Sequence, residues 1–369
     1  VMNYAIERAH ALNHDQIAAL AVAIGHSNWI HVEGIKGIGK TTLLKEVSRL
    51  LPNHIPRYVD TTMLEAGDLA IPKFKEADDQ DFVRFVANEA LGLHLNKPLI
   101  ILLDELPKSS PAVKIPLMRL CLEREFANYK THPETIILST GNLGVENLGD
   151  SFQSHQIDRM TRVELRTPTA LEWLENYAIP NGVNYLVCGW VKENQETLAD
   201  WRDVQNPDNN LFCDHPNATD RVKGTTPRSV VKAAGILDMR DTLDDDTLLA
   251  ALIGTIGYHS AHNLMTFIQI ADQLPSLESI KQDPANAKIP SNAPAVMMVV
   301  WRLLAVIERG WVDSCMTYLS RLDTETQGVW VGAVMDKRYD SKKQSFIAQN
   351  RMFTEWAGKY GYLLSADKT

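Results

Sequence analysis

The sequence predicts an α/β fold: a five-stranded parallel sheet sandwiched by helices over residues 1–167, followed by chain that is all helical. Three observations predict it. Apolar, strand-like runs alternate with helical stretches through the first half, the pattern of a parallel sheet whose crossovers are helices. One run, Pro98 to Leu103, is too uniformly apolar for a half-exposed strand and belongs at the centre of a covered sheet. Beyond Pro168 only helical periodicity continues.

The elements follow in order. Asn28 to Glu33 is a strand, with the helix Thr41 to Leu51 behind it. A second strand falls at Arg57 to Asp60, and Phe82 to Leu93 has helical spacing. After the central strand come a helix at Leu117 to Glu125, a buried strand at Thr135 to Ser139 and a shorter strand at Arg162 to Leu165. In the second half, helices are expected at Leu171 to Tyr177, Ser229 to Met239, Thr247 to Tyr258 and Leu264 to Leu274. The stretch 205–224, rich in Asn, Asp and Pro, is an irregular insertion, and three prolines mark 282–294 as a linker. The expected organisation is an α/β nucleotide-binding domain at 1–167, a helical lid domain at 168–281 and a C-terminal helical appendage at 282–369.

The bulk composition excludes several classes. Hydrophobic residues make up 45% and charged residues 22%, as in a soluble globular protein. The net charge of -9 argues against binding a polyanion by bulk charge, though a local basic channel stays open. The longest apolar run, Ala293 to Ile307, is broken by Arg302 and falls short of the ~18 residues a membrane span requires, so no membrane partner is expected. Val1 to Asn13 has no apolar core of a secretory signal. The cysteines Cys121, Cys188, Cys213 and Cys315 are scattered without a Cys-x-x-Cys pair, so neither a disulfide framework nor a zinc cage is expected. A reduced, cytoplasmic protein fits these features.

The chemistry starts at Gly34-Ile35-Lys36-Gly37-Ile38-Gly39-Lys40-Thr41, continued by Thr42, which fits G-x-x-x-x-G-K-[ST] at every fixed position. Glycines let the backbone curl until successive N–H groups point at phosphate oxygens. The following helix turns its positive end to the same anion. Lys40 would neutralise β- and γ-phosphate charge, and the Thr41 hydroxyl would ligate Mg²⁺. An apolar strand before the loop and a helix after it make an accidental glycine-rich turn the poorer reading. ATP and Mg²⁺ are therefore the expected ligands.

The central strand ends in Asp104-Glu105. Mg²⁺ prefers oxygen ligands and binds through one or two carboxylates plus phosphate, which suits Asp104. Glu105 suits the general base that polarises the attacking water. Asn142, in Ser139-Thr140-Gly141-Asn142, stands where a neighbouring strand ends and could position that water; its alternative is a turn residue. Thr226-Pro227-Arg228 opens a helix with Thr226 as N-cap. A cation there opposes the helix dipole by about 0.3 to 1 kcal/mol, which points to a phosphate partner for Arg228. Arg159, Arg162 and Arg166 each offer a guanidinium that a neighbouring subunit's nucleotide could use.

Together these pieces resemble the AAA+ ATPases over roughly Gln16 to Leu274, and most nearly their MoxR-type branch, close to the dynein-related modules. Walker A falls on Gly34 to Thr41, Walker B on Leu102 to Glu105, sensor 1 on Asn142, the arginine finger on Arg159-Met160 and sensor 2 on Arg228. The resemblance implies a self-assembled ring, commonly hexameric, with each active site shared between neighbours. It also implies that loops near Glu65 to Lys73 and Phe126 to Glu134 face substrate. A protein substrate or an adaptor, such as one bearing a von Willebrand factor A domain, is a further implication. Glu125 to Pro133 is short for the long hairpin that many relatives carry. Two rivals within the fold are a nucleic-acid motor or loader and an ATP-gated scaffold with little turnover. A small-molecule kinase fits less well, because paired carboxylates suit water attack.

Overall fold

The chain is described, as a computed structural model, over residues 10–77, 80–143, 152–218, 224–272, 274–291 and 293–361. It divides into two compact units, 1–167 and 168–369.

The first unit is built on a five-stranded sheet. Its strands are β1 (Ile30–Gly34), β2 (Ile55–Asp60), β5 (Leu99–Asp104), β8 (Ile136–Asn142) and β9 (Thr161–Glu164). They lie in the order β2-β5-β8-β1-β9, every pair parallel. Helix α1 (His14–Ile24) opens at Asn13, whose side chain accepts from Gln16 N at 2.8 Å while Gln16 Oε1 accepts from Asn13 N at 2.9 Å. That reciprocal cap fixes where the helix starts. Helix α2 (Leu43–Leu50) follows β1, and α3 (Pro111–Glu123) follows β5. All six residues of β5 are buried, so its position inside the sheet follows from its composition. Leu99, Ile101 and Leu103 on one face pack into a cluster with Val113, Leu117 and Leu120 of α3.

This five-stranded parallel sheet flanked by helices, with helical regions after it, is the α/β architecture expected from the sequence. Two local expectations need correction. Residues 82–93 are not a helix. Instead β3 (Ala70–Ala77) and β4 (Gln80–Ala87) form an antiparallel hairpin, and 89–95 are short helical turns. Alternating aromatic and β-branched residues favoured a strand, and the hairpin partner supplied the backbone bonds. The long hairpin thus lies after β2, while Glu125–Phe126 (β6) and Tyr129–Lys130 (β7) form only a two-residue ladder. Second, β8 runs on to Asn142, beyond the expected end at Ser139. Its last residue pairs with Gly34, so the strand persists as long as β1 offers a partner.

The second unit is helical. Its main helices include α4 (Tyr185–Glu193), α5 (Pro227–Leu237), α6 (Asp245–Ile256), α7 (Tyr258–Ala271), α8 (Ala293–Val306), α9 (Val312–Leu319) and α10 (Thr324–Met335). Leu171 to Tyr177 is a short helix that widens after Trp173. Helix α4 was not expected because Leu186 to Val191 are all buried, and a helix buried on every side has no polar face to betray its period. One hydrophobic cluster gathers α4 to α7, and a second gathers α8 to α10 with the helices behind them. Residues 283–291 are non-helical yet held. Tyr318 Oη donates to Lys288 O at 3.0 Å, and Arg321 donates to the carbonyls of Pro284 and Ala287 at 2.6 and 2.8 Å. The insertion 205–224 is irregular to residue 218 and anchored by Thr225 N donating to Phe212 O at 2.7 Å; its residues 219–223 lie outside the described residues. Among the described residues, no helix is long and apolar enough to cross a membrane.

Candidate functional site

The candidate site lies at the carboxyl ends of β1, β5 and β8, the end at which open parallel sheets bind ligands. The loop after β1 turns through positive φ at Gly37 (76°) and Gly39 (94°), angles that L side chains resist. Lys40 is buried and donates from Nζ to Gly34 O at 2.8 Å, to Ile35 O at 3.1 Å and to Asn142 Oδ1 at 2.6 Å. The loop and the tip of β8 are therefore joined through one ammonium group.

Asp104, the last residue of β5, is buried and gathers hydroxyls. Thr140 donates to Oδ1, while Thr41 and Tyr58 donate to Oδ2 at 3.3 and 3.0 Å. Thr61 Oγ1 donates to its carbonyl at 2.9 Å. A hydroxyl and a carboxylate converging at Thr41 and Asp104 form an oxygen-only set, which fits Mg²⁺.

Glu105 stands just past the strand in the left-handed region, with φ 55°. Such a backbone costs about 1 to 3 kcal/mol for a non-glycine residue and gathers at functional positions. Its N–H donates to Thr140 Oγ1 at 3.2 Å, and its carbonyl accepts from Lys108 N at 2.9 Å. The carboxylate Oε2 accepts from Asn142 Nδ2 at 3.2 Å and pairs with Lys108 Nζ at 2.8 Å. Lys40, Asn142, Glu105 and Lys108 thus make one continuous polar chain. Gly141 keeps it compact, since a Cβ there would come within 2.9 Å of Pro107 Cγ and 3.1 Å of His31 Nε2.

Two histidines support the site. His14 Nε2 lies 3.1 Å from Gly39 O, tying the start of α1 to the loop, and burial lowers its pKa. His31, on β1, is fully buried with Nδ1 2.8 Å from Ser139 Oγ. Burial pushes its pKa down to about 3, with the Arg162 and Lys40 charges acting in the same direction. The ring is neutral near pH 7, so His31 adds no charge of its own beside Lys40.

The sequence-predicted residues Gly34, Lys40, Thr41, Asp104, Glu105 and Asn142 are brought together. Arg162 pairs with Glu33 Oε2 at 2.7 Å, and Arg166 donates its backbone N–H to Leu12 O at 2.9 Å. Arg159 is exposed just before β9. Arg228 is exposed in the first turn of α5, in the second unit, where Thr226 Oγ1 accepts from Ser229 N at 3.1 Å. Sequence reasoning missed His14, Tyr58, Thr61, Lys108 and Thr140. Only Thr140 left a signal, being two residues before Asn142 and so on the same face of a strand.

No protein-family model and no curated protein matches the chain. Among solved structures it is similar to a putative ATPase from Cytophaga hutchinsonii, at 14% identity over 70% of this chain and 90% of that chain, with a TM-score of 0.32. It is also similar to the RuvB Holliday junction branch migration motor of Thermotoga maritima, at 13% identity, 82% and 86% coverage and a TM-score of 0.36. A third likeness is to NtrX from Brucella abortus, solved in complex with ATP, at 14% identity, 95% and 68% coverage and a TM-score of 0.37. These likenesses are too distant to carry a function across, and the chemistry below rests on the residues of this chain.

Proposed function

We propose that this chain is an ATPase of AAA+ type, whose hydrolysis drives a motor or remodelling function at sites shared between copies in a ring. The observation that carries the reading is the bonded set of Lys40, Asn142, Glu105, Asp104 and Thr41 at one end of the sheet. In this reading the loop N–H groups from Gly34 to Thr42 and the Lys40 ammonium bind the phosphates. Thr41 and Asp104 would hold Mg²⁺, which would supply charge to offset that on the phosphate oxygens. Asn142 and Glu105 orient water in line with the γ-phosphate, and Glu105 takes its proton. Arg228 takes the sensor-2 role towards the γ-phosphate, the role that the AAA+ resemblance assigns to it. Arg159 acts on the neighbouring copy's nucleotide, a role favoured over Arg162 because Arg162 is committed to Glu33.

The shared site has its own test. Arg159→Ala binds ATP with the affinity of the unaltered chain but does not hydrolyse it. Mixing it with Glu105→Gln protein rebuilds some complete interfaces and restores phosphate release. Silence of the mixture at every ratio removes the support for a trans arginine.

Two substrate classes remain in view. The MoxR-type resemblance supports a hexameric ring acting as a chaperone-like remodeller of a protein partner, such as one with a von Willebrand factor A domain. A specific observation favours the second, a nucleic-acid motor. In the β3–β4 hairpin Lys73 lies directly opposite Arg84, and both are exposed. Like charges facing each other across a ladder oppose pairing, and an anionic partner would offset that cost. Phe74 and Phe85, exposed at 81% and 49%, offer stacking surface on the same hairpin. The Lys73→Ala, Arg84→Ala double variant lowers affinity for single-stranded DNA and flattens its salt dependence by about two phosphate contacts in fluorescence anisotropy. Equal binding by both proteins, or binding by neither, leaves the protein-partner reading standing.

A further inference from the structure

Among the described residues, two groups bond to the Glu105 side chain, and both act on a single oxygen. Asn142 Nδ2 reaches Oε2 at 3.2 Å and Lys108 Nζ reaches Oε2 at 2.8 Å. Among the described residues no bond is made to Oε1. A carboxylate held at Oε2 cannot turn about its Cγ–Cδ bond, so Oε1 is fixed too and presents its lone pairs in a set direction. We propose that Lys108 is a positioning residue, which locks Glu105 through Oε2 so that Oε1 is the atom that accepts the proton from water.

The geometry of the 105–108 turn supports this role. Lys108 N donates to Glu105 O at 2.9 Å, closing a tight turn that brings the lysine side chain back over the carboxylate three residues earlier. The turn is braced from outside, because Lys114 donates to Pro107 O and the Pro107 ring packs on Gly141. Lys108 is therefore presented by a fixed backbone rather than by a mobile loop. Its side chain is 31% exposed and that of Glu105 25%, so the pair is open to water while remaining in contact. An ion pair at such exposure contributes little to stability, as exposed pairs commonly do. Its consequence is geometric: it fixes which carboxylate oxygen faces the reacting water.

Asn142 alone would not suffice for that, since its Oδ1 is shared with Lys40 and its orientation follows whatever Lys40 binds. With both cations in place, the amide and the carboxylate are held from opposite ends. As the γ-phosphate draws Lys40 towards itself, Lys108 keeps Glu105 in register. The proton balance is simple: water loses one proton to Glu105 Oε1, and the hydroxide formed attacks phosphorus as the bond to the ADP oxygen breaks.

This inference rests on Glu105 being the base, and the experiment separates the two claims. Steady-state ATP hydrolysis is measured for the full chain and for Lys108→Met, Lys108→Arg and Glu105→Gln, with thermal unfolding recorded for each. Lys108→Met should lose about tenfold or more in kcat, the scale expected when a reacting group is misplaced. Its KM for ATP and its unfolding temperature should stay those of the unaltered chain. Lys108→Arg, which keeps a cation of similar reach, should recover most of the loss. If Glu105→Gln is inactive while Lys108→Met turns over as the unaltered chain does, the positioning role is overturned and the base assignment survives. A rise in KM with kcat intact also overturns it, because Lys108 would then be a phosphate contact. If Glu105→Gln hydrolyses normally, the base assignment fails and the role of Lys108 falls with it.

Discussion

Lys40→Ala protein loses its affinity for ATP. The ammonium is buried within the loop and bonded to Gly34 O, Ile35 O and Asn142 Oδ1, so its removal takes away the cation meant for the phosphates and also the brace between β1 and β8. A hydrogen bond to a charged group contributes about 1.5 to 3 kcal/mol, which sets a loss of roughly ten- to a hundredfold in Kd before any loop disorder is counted. Calorimetric titration with ATP and Mg²⁺ measures it directly. Binding as tight as that of the unaltered chain would refute the loop assignment.

The second large effect separates binding from chemistry. Glu105→Gln keeps the shape of the side chain, and its amide oxygen can still accept from Asn142 and Lys108 in place of Oε2. Gln has no basic oxygen for a proton, so turnover falls by about 10² to 10⁴, the span assigned to a positioned general base. ATP binds as before. In a shared site, unhydrolysed ATP holds the interface, so the variant should also elute as a larger assembly in ATP. Undiminished phosphate release would remove Glu105 from its role. In ATP, this variant is also the one to use as bait for whatever the machine acts on.

The loop and the acidic strand tip were legible in the sequence because they are local. Gly34 to Thr41 needs only its own spacing, and Asp104-Glu105 needs only the apolar run before it. Asn142 was legible as a strand-end residue, but its link to both Lys40 and Glu105 depends on β8 lying between β5 and β1. Tyr58 and Thr61 could not be found without register: β2 pairs Asp60 with Asp104, and no sequence spacing encodes that pairing. The hairpin failed for a different reason. Val83, Phe85 and Val86 place apolar residues on both faces of β4, so the period of two was masked and a helical spacing fitted equally well. No Gly-containing dipeptide between the two runs marked the turn. Arg159 and Arg228 were legible only through the motifs around them, Arg159-Met160 before the last strand and Thr226-Pro227-Arg228 at a helix start, and both side chains are exposed.

The central claim is that Lys40, Asp104, Glu105 and Asn142 form a site that hydrolyses ATP. Its most direct test is phosphate release from ATP and Mg²⁺ by the unaltered chain, measured against Glu105→Gln at protein concentrations high enough to assemble copies. The unaltered chain releases phosphate continuously, at a rate rising more than proportionally with its concentration, and the variant releases none above background. No release by the unaltered chain at any concentration, with ATP bound, would contradict it.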